Sequence, residues 1–370
     1  MGIGWCYCLW SLWIMSDAQN LKMVCDTPEK NLGDNWEERQ DEYEDAERED
    51  GAVIANLPGS IERNLDGLAY SEDGSLYLAS SCITGRYWTG SAWCWKAPDL
   101  SPDIQLCTAG IETQTGISDM CYIGSDKIIL GEDSGGIELI ELVSCSERQY
   151  FNSKICIVEH DDSVTTVTCN SSKALVGSGG TDCSIKIWDL ESMVCHSTLR
   201  QVHDDSVTCV AFSRVSTEVL LSASLDGKVI LWDFRTSQPA IYVSNVPFDR
   251  PLALDWKPGS EQYFTYGNES GHILTVDLRF PDKCSQKLKA HDKPIFKVEY
   301  SSKYVDFMAT CADDNTVKVH KYADSIPETV YQSEDHNDFV RGISWCPVTD
   351  RLSSCGWDKQ VLHHSVPLKS

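Results

Sequence analysis

Two stretches of the chain carry the same pattern: GTDCSIKIWD (180–189) and SLDGKVILWD (224–233). Each leaves a strand-like end, crosses a turn that holds Asp, and enters an alternating apolar–polar run closing on Trp-Asp. Alternation with a period of two marks a half-buried strand. The position that Trp holds recurs in every similar segment, as Trp95, Ile140, Trp188, Trp232, Val276, His320 and His364. The spacings are 45, 48, 44, 44, 44 and 44 residues. Seven units of that length, each with about four short alternating segments, predict an all-β chain, a seven-bladed β-propeller.

Four units share polar residues at fixed offsets: His160, Ser178, Asp182 and Trp188; then His203, Ser222, Asp226 and Trp232. The same offsets hold for His291, Thr310, Asp314 and His320, and for His336, Ser354, Asp358 and His364. The Asp falls in the turn between a blade's second and third strands, the His in the loop entering its first. A carboxylate there orients the imidazole, and the hydroxyl bridges imidazole and indole, so each buried polar group has a partner. With four residue types keeping their offsets four times over, the region from about 53 to 366 resembles the WD-repeat family. Units 1, 2 and 5 place Thr89, Ser134 and Ser270 at the Asp position and hold those turns by other means. Unit 7 runs out after its third strand, so AVIANLP (52–58) is expected to pair there and remove an open edge.

Composition adds three domains of behaviour: an apolar segment, 1–15; an acidic arm, 16–51; and the propeller, 52–370. MGIGWCYCLWSLWIM (1–15) is too short to span a bilayer and lacks the flanks of a signal peptide. A start at Met15, opening the chain as MSDAQN and leaving the residues before it out of the mature protein, is an equal reading. Residues 16–51 hold 13 Asp/Glu against 4 Lys/Arg, a composition that does not offset its own ordering entropy and predicts disorder. The arm reads as a solubilising tail or as a holder of basic clients. The net charge of −25 argues against nucleic acid and anionic membranes as partners. The 17 Cys are scattered, mostly single within strand-like runs such as VTTVTC (164–169), with no C-x-x-C pair. They read as small buried hydrophobes in a reducing compartment, with no zinc site.

No chemistry-bearing motif points to an enzyme. A Ser-His-Asp triad occurs once, with an exposed nucleophile, whereas this set recurs four times with an extra member. His363 and His364 are neighbours on a strand and face opposite ways, so they are not a metal pair. GEDSGG (131–136) lacks the Lys-Ser/Thr of a phosphate loop. No cofactor is called for.

One stretch does not serve the core. In SSCITGRYWTGSAWCW (80–95) the turn between strands two and three is longer than that of unit 4 by about five residues. The insertion carries Arg86, Tyr87 and Trp88 in a segment, Gly-Arg-Tyr-Trp-Thr-Gly, that does not read as strand. Trp and Arg dominate interface hot spots, so the tip is a candidate docking site; the alternative is a Trp88 folded over its own blade. Tyr331, in the loop entering blade 7, falls on the same face.

ITGRYWTGSAW (83–93), TAGIETQTGISDM (108–120), EHDDSVTTV (159–167), HNDFVRGISW (336–345) and GWDKQVLHHSVP (356–367) resemble the methylosome protein 50 family. These are the WD-repeat partners of protein arginine methyltransferase 5. The resemblance covers the propeller and not the arm. It implies a non-catalytic adaptor in a hetero-oligomer, docked on the enzyme's N-terminal barrel domain through Arg86 and Trp88, with Tyr331 where the family has a second aromatic contact. It further implies presentation of histones and spliceosomal Sm proteins for symmetric dimethylation (hence histone binding and snRNP assembly), in cytoplasm and nucleus. A second reading rests on Trp232-Asp233-Phe234-Arg235, echoed by Val276-Asp277-Leu278-Arg279, the WDxR pattern of cullin-RING ligase substrate receptors. A third is a free-standing histone chaperone working through the arm alone.

Overall fold

The computed structural model describes residues 57–368, apart from 84–87, 146–147, 201–202, 237–238, 246–248, 282–283 and 323–326. The expectations for 1–15 and 16–51, and all of the closing segment except Leu57 and Pro58, lie outside the described residues. So do Arg86 and Tyr87.

Val207–Phe212, Val219–Ser224, Lys228–Asp233 and Pro239–Asn245 form one antiparallel sheet whose strands neighbour each other in chain order. This is blade 4 of a seven-bladed propeller. The other blades span 64–113, 117–158, 164–199, 251–289, 295–333 and 340–365. Among the described residues the seventh sheet has three strands, Val340–Trp345, Arg351–Gly356 and Val361–Ser365.

Strand composition follows position in the blade. Second strands are covered by neighbouring blades on both faces, so Phe307–Ala312 (FMATCA) is buried throughout and built from small or apolar side chains. The outermost strand of blade 5, Cys284–Lys289 (CSQKLK), is mostly exposed and correspondingly polar. The Trp position holds one register in all seven blades: Leu76 pairs with Trp95, Ile128 with Ile140, Val176 with Trp188 and Leu220 with Trp232. Phe264 with Val276, Met308 with His320 and Leu352 with His364 complete the set.

Core clusters lie between blades. At the seam where blade 7 meets blade 1, Leu65, Leu76, Leu78 and Trp93 pack against Cys355 and Val361. Polar bonds cross the same seam: Tyr70 and Ser353 hydroxyls lie 2.6 Å apart, and Trp357 Nε1 donates to Asp66 Oδ1 at 2.9 Å. Burial pushes the Asp66 carboxyl up to about 7 against the bonds donated by Ser81 and Trp357.

Candidate functional site

The four sets of polar residues form four closed hydrogen-bond relays. In blade 3, His160 Nδ1 lies 3.0 Å from Asp182 Oδ2 and Nε2 lies 2.7 Å from Ser178 Oγ. Trp188 Nε1 donates to that same Oγ at 2.9 Å. One proton arrangement satisfies all of them: imidazole Nδ1–H to carboxylate, Ser178 O–H to Nε2, indole N–H to Oγ. Blade 4 repeats it with His203, Asp226 at 3.0 Å, Ser222 at 2.8 Å and Trp232 at 2.8 Å. Burial alone would raise the Asp226 carboxyl, but hydrogen bonds from His203 and from backbone N–H groups hold it down at about 2. Burial is likewise overcome at Asp182 and Asp314, which His160 and His291 hold well below the usual carboxylate range. Ser178, Ser222, Thr310 and Ser354 are 0% exposed. No substrate reaches a hydroxyl so placed, and the relays are structural.

In blades 6 and 7 His replaces Trp, and the relay gains a link. Thr310 Oγ1 sits 2.8 Å from His291 Nε2 and 3.0 Å from His320 Nε2; Asp314 closes the far end at 3.1 Å from His291 Nδ1. Ser354 bridges His336, at 2.8 Å, and His364, at 2.7 Å, with Asp358 3.0 Å from His336. The second ring nitrogens of His320 and His364 then face outward, to Thr329 Oγ1 at 3.1 Å and to the Tyr331 hydroxyl at 3.1 Å. This corrects the placement of Tyr331. It lies in the outer strand of blade 6, Glu328–Ser333, paired with Val319, and not in an entry loop. Its ring packs edge-on to His364 at 5.7 Å.

Blades 1, 2 and 5 carry Leu78, Leu130 and Tyr266 at the register position where the relays carry a hydroxyl. Blades 2 and 5 have no indole to satisfy, since Ile140 and Val276 hold the Trp position. Trp95 in blade 1 donates instead to the Asp103 carbonyl at 2.9 Å. Ser134 stays in its turn and donates to Glu132 at 2.9 Å, and Asn268 Oδ1 braces the Ser270 turn by accepting from His272 N at 2.7 Å. Thr89 is a second correction: it is paired with Cys82 inside a ladder and lies in no turn.

That ladder is what distinguishes blade 1. Blade 4's hairpin ends its pairing at Ala223 and Val229. In blade 1 the equivalent pair is Ala79 and Ala92, and pairing runs on through Ser80–Ser91, Ser81–Gly90, Cys82–Thr89 and Ile83–Trp88. Trp88 therefore opens the strand Trp88–Trp95 and does not ride in the turn. It is 49% exposed, while Trp93 and Trp95 on the same strand are 0% exposed. Two devices seat the hairpin. Ser81 donates to the buried Asp66, which Trp357 also holds. Gly90 passes so close to the next segment that a Cβ would stand 2.6 Å from Thr113 Oγ1 and 2.9 Å from the Thr115 carbonyl. Trp88 and Tyr331 stand on blades 1 and 6, and no ring contact joins them.

The other arginines singled out are engaged locally. Arg235 Nε donates to Asp233 at 2.8 Å, and Arg279 binds Asp277 through Nε at 2.9 Å and Nη2 at 2.6 Å. Among the described residues no group of His, Cys, Asp and Glu is arranged to hold a metal, and the 14 cysteines are free thiols.

The WD domain, G-beta repeat model matches residues 152–189, 193–233, 282–321 and 327–364. Each match begins in or near one blade's outer strand and ends in the next blade's third strand. The methylosome protein WDR77 of Xenopus laevis is 33% identical over 312 residues, covering 84% of this chain and 92% of that protein. Protein transport protein Sec31A of Danio rerio is 25% identical over 65% of this chain, which spans only 20% of that protein. Among solved structures, a chain of the COPII outer coat vertex superposes with a TM-score of 0.71 at 19% identity, covering 83% and 85% of the two chains. That likeness is one of fold.

Proposed function

The chain belongs to the methylosome protein WDR77 family of WD-repeat propellers, and on that premise we propose that it is the non-catalytic scaffold of a methylosome. In this reading it docks on the N-terminal barrel domain of protein arginine methyltransferase 5 through the tip of the blade 1 hairpin. Trp88 is the anchor, with Arg86 and Tyr87 beside it. The propeller then presents basic clients, histones and spliceosomal Sm proteins, for symmetric arginine dimethylation in cytoplasm and nucleus. The net charge of −25 favours the approach of such clients.

The half-exposed indole of Trp88, held on a ladder longer than blade 4's, is the observation that carries this reading. An indole at the end of a braced hairpin loses little conformational freedom on docking and removes a large apolar area from water. Truncation of such an anchor costs about 2–4 kcal/mol. Trp88→Ala is expected to keep the melting profile of the propeller and to lose the methyltransferase in a pull-down; retained capture would refute the role. The Trp-Asp-x-Arg reading gains no support from the geometry, since Arg235 and Arg279 are each clamped to the Asp two residues before them.

A further inference from the structure

Every first strand of the propeller carries a bulge near its start, at its second residue in blades 2 to 7 and at Asp66, its third, in blade 1. The bulged residues in blades 2, 3 and 4 are Ser118, Thr165 and Thr208. Each donates its hydroxyl to the next blade, at the carbonyls of Val164, Val207 and Pro251. The remaining blades depart from this pattern: the bulged residues are Asp66 in blade 1, Leu252 in blade 5, Phe296 in blade 6 and Arg341 in blade 7.

Arg341 is boxed by aromatic rings. Its guanidinium carbon lies 4.1 Å from the Phe296 ring centroid, 4.6 Å from Trp357 and 5.2 Å from Phe339. Phe339 and Trp357 flank each other at 5.6 Å. The carboxylate of Asp313 closes the box, with Oδ1 3.2 Å from Arg341 Nη2. The fit is incomplete: Arg341 Nε and Asp313 Oδ1 are both buried without an aligned hydrogen bond. Ring faces and charge hold this guanidinium, and its donors are not saturated.

The box opens on the face that carries the blade-entry loops and the turns between second and third strands. Phe339 belongs to the entry of blade 7, and Asp313 and Trp357 to the turns of blades 6 and 7. Trp357 is also joined through Asp66 and Ser81 to the base of the Trp88 hairpin. We propose that Phe296, Phe339, Trp357 and Asp313 form a seat for an arginine side chain of a basic partner, and that Arg341 fills it until such an arginine displaces it. The choice of partner rests on the scaffold reading above; the seat itself rests on the geometry.

A planar, weakly hydrated guanidinium stacks on ring faces and forks onto a carboxylate, which a compact, strongly hydrated ammonium does not reproduce. The seat therefore prefers arginine to lysine. An incoming guanidinium that aligns its fork with Asp313 gains the hydrogen bonds Arg341 leaves unmade, so exchange is inexpensive.

The test is calorimetric titration of the full chain with an end-capped Arg-Gly repeat peptide and its Lys-Gly counterpart of equal charge. Arg341→Ala empties the seat and is expected to bind the Arg peptide roughly tenfold more tightly than the parent chain, without an equal gain for the Lys peptide. Adding Trp357→Leu is expected to cancel the gain. Arg341→Gln serves the same comparison where the alanine variant does not fold. No gain for the Arg peptide, or an equal gain for both peptides, overturns the proposal. Trp88→Ala is expected to leave the peptide preference intact, so failure of the docking role and failure of the seat are separately visible.

Discussion

The Tyr331 hydroxyl lies 3.1 Å from His364 Nδ1 and is the outermost member of a relay that passes through Ser354 and His336 to Asp358. The direction of every proton in that chain follows from its end, because a carboxylate only accepts. His336 donates Nδ1–H to Asp358, Ser354 donates to His336, His364 donates Nε2–H to Ser354, and Tyr331 donates to His364. Tyr331→Phe leaves a partly buried ring nitrogen without its donor. The expected cost is about 1 kcal/mol in a denaturant titration. Capture of the methyltransferase should be unchanged, since the ring remains; Tyr331→Ala separates the ring's contribution from the hydroxyl's.

Acid should act on this relay in a predictable direction. Burial pushes His364 down to about 4 and His320 down to about 3 from the ordinary 6.5. The unfolded chain therefore takes up protons that the folded chain refuses as pH falls below about 6.5. The stability tied to neutral His364 is fully present above that pH and is lost as pH falls toward about 4. His364→Gln is expected to be the less stable protein at pH 7, with the gap closing by roughly 2–3 kcal/mol at pH 4. Melts of the two proteins across that range check it; a gap independent of pH would remove His364 as the source.

Ser222 serves one acceptor and one donor at once, His203 Nε2 at 2.8 Å and the Trp232 indole N–H at 2.8 Å. Ser222→Ala orphans both in a site that is 0% exposed. A loss of about 3 kcal/mol is expected, well above that of an ordinary single hydrogen bond. The double variant Ser222→Ala, Trp232→Phe is expected to recover part of it, because the indole N–H no longer needs a partner.

The Trp88 hairpin can be disturbed without touching Trp88. A side chain at Gly90 meets Thr113, Ile117 and the Thr115 carbonyl, all within 3 Å of the new Cβ. Gly90→Val is expected to shift the hairpin and weaken methyltransferase capture about tenfold, as displaced anchors do. Circular dichroism should show the remaining blades intact.

The relays were legible in the sequence because their members sit at fixed offsets across strands of constant length. The Trp position was legible even as Ile140 or Val276, since a 44-residue period needs no particular side chain. The blade 1 hairpin reads as a loop because Gly-Arg-Tyr-Trp-Thr-Gly has glycine at both ends and no apolar–polar alternation between them. Trp88 is exposed, Thr89 half-buried and Gly90 buried without a side chain, so the covered side of this strand end leaves no apolar residue in the sequence to mark it. Tyr331 was misplaced for a related reason: the outer strand ETVYQS is half exposed and blends into the entry loop. Arg341 and Phe296 gave no signal at all. A bulged residue falls outside the period of two, and the rings around Arg341 come from segments up to 61 residues apart in the chain, Phe296 and Trp357.

The seam between the first and last blades sets a clock on biosynthesis. Leu65, Asp66 and Tyr70 are made early, yet Cys355, Trp357 and Ser353, which cover or bond them, follow more than 280 residues later. At a translation rate of about 5–20 residues per second, that is roughly 15–60 s in which one flank of blade 1 has no neighbour on the ribosome. A nascent-chain chaperone that shields apolar strands would find its longest-lived target there, on the blade that carries Trp88.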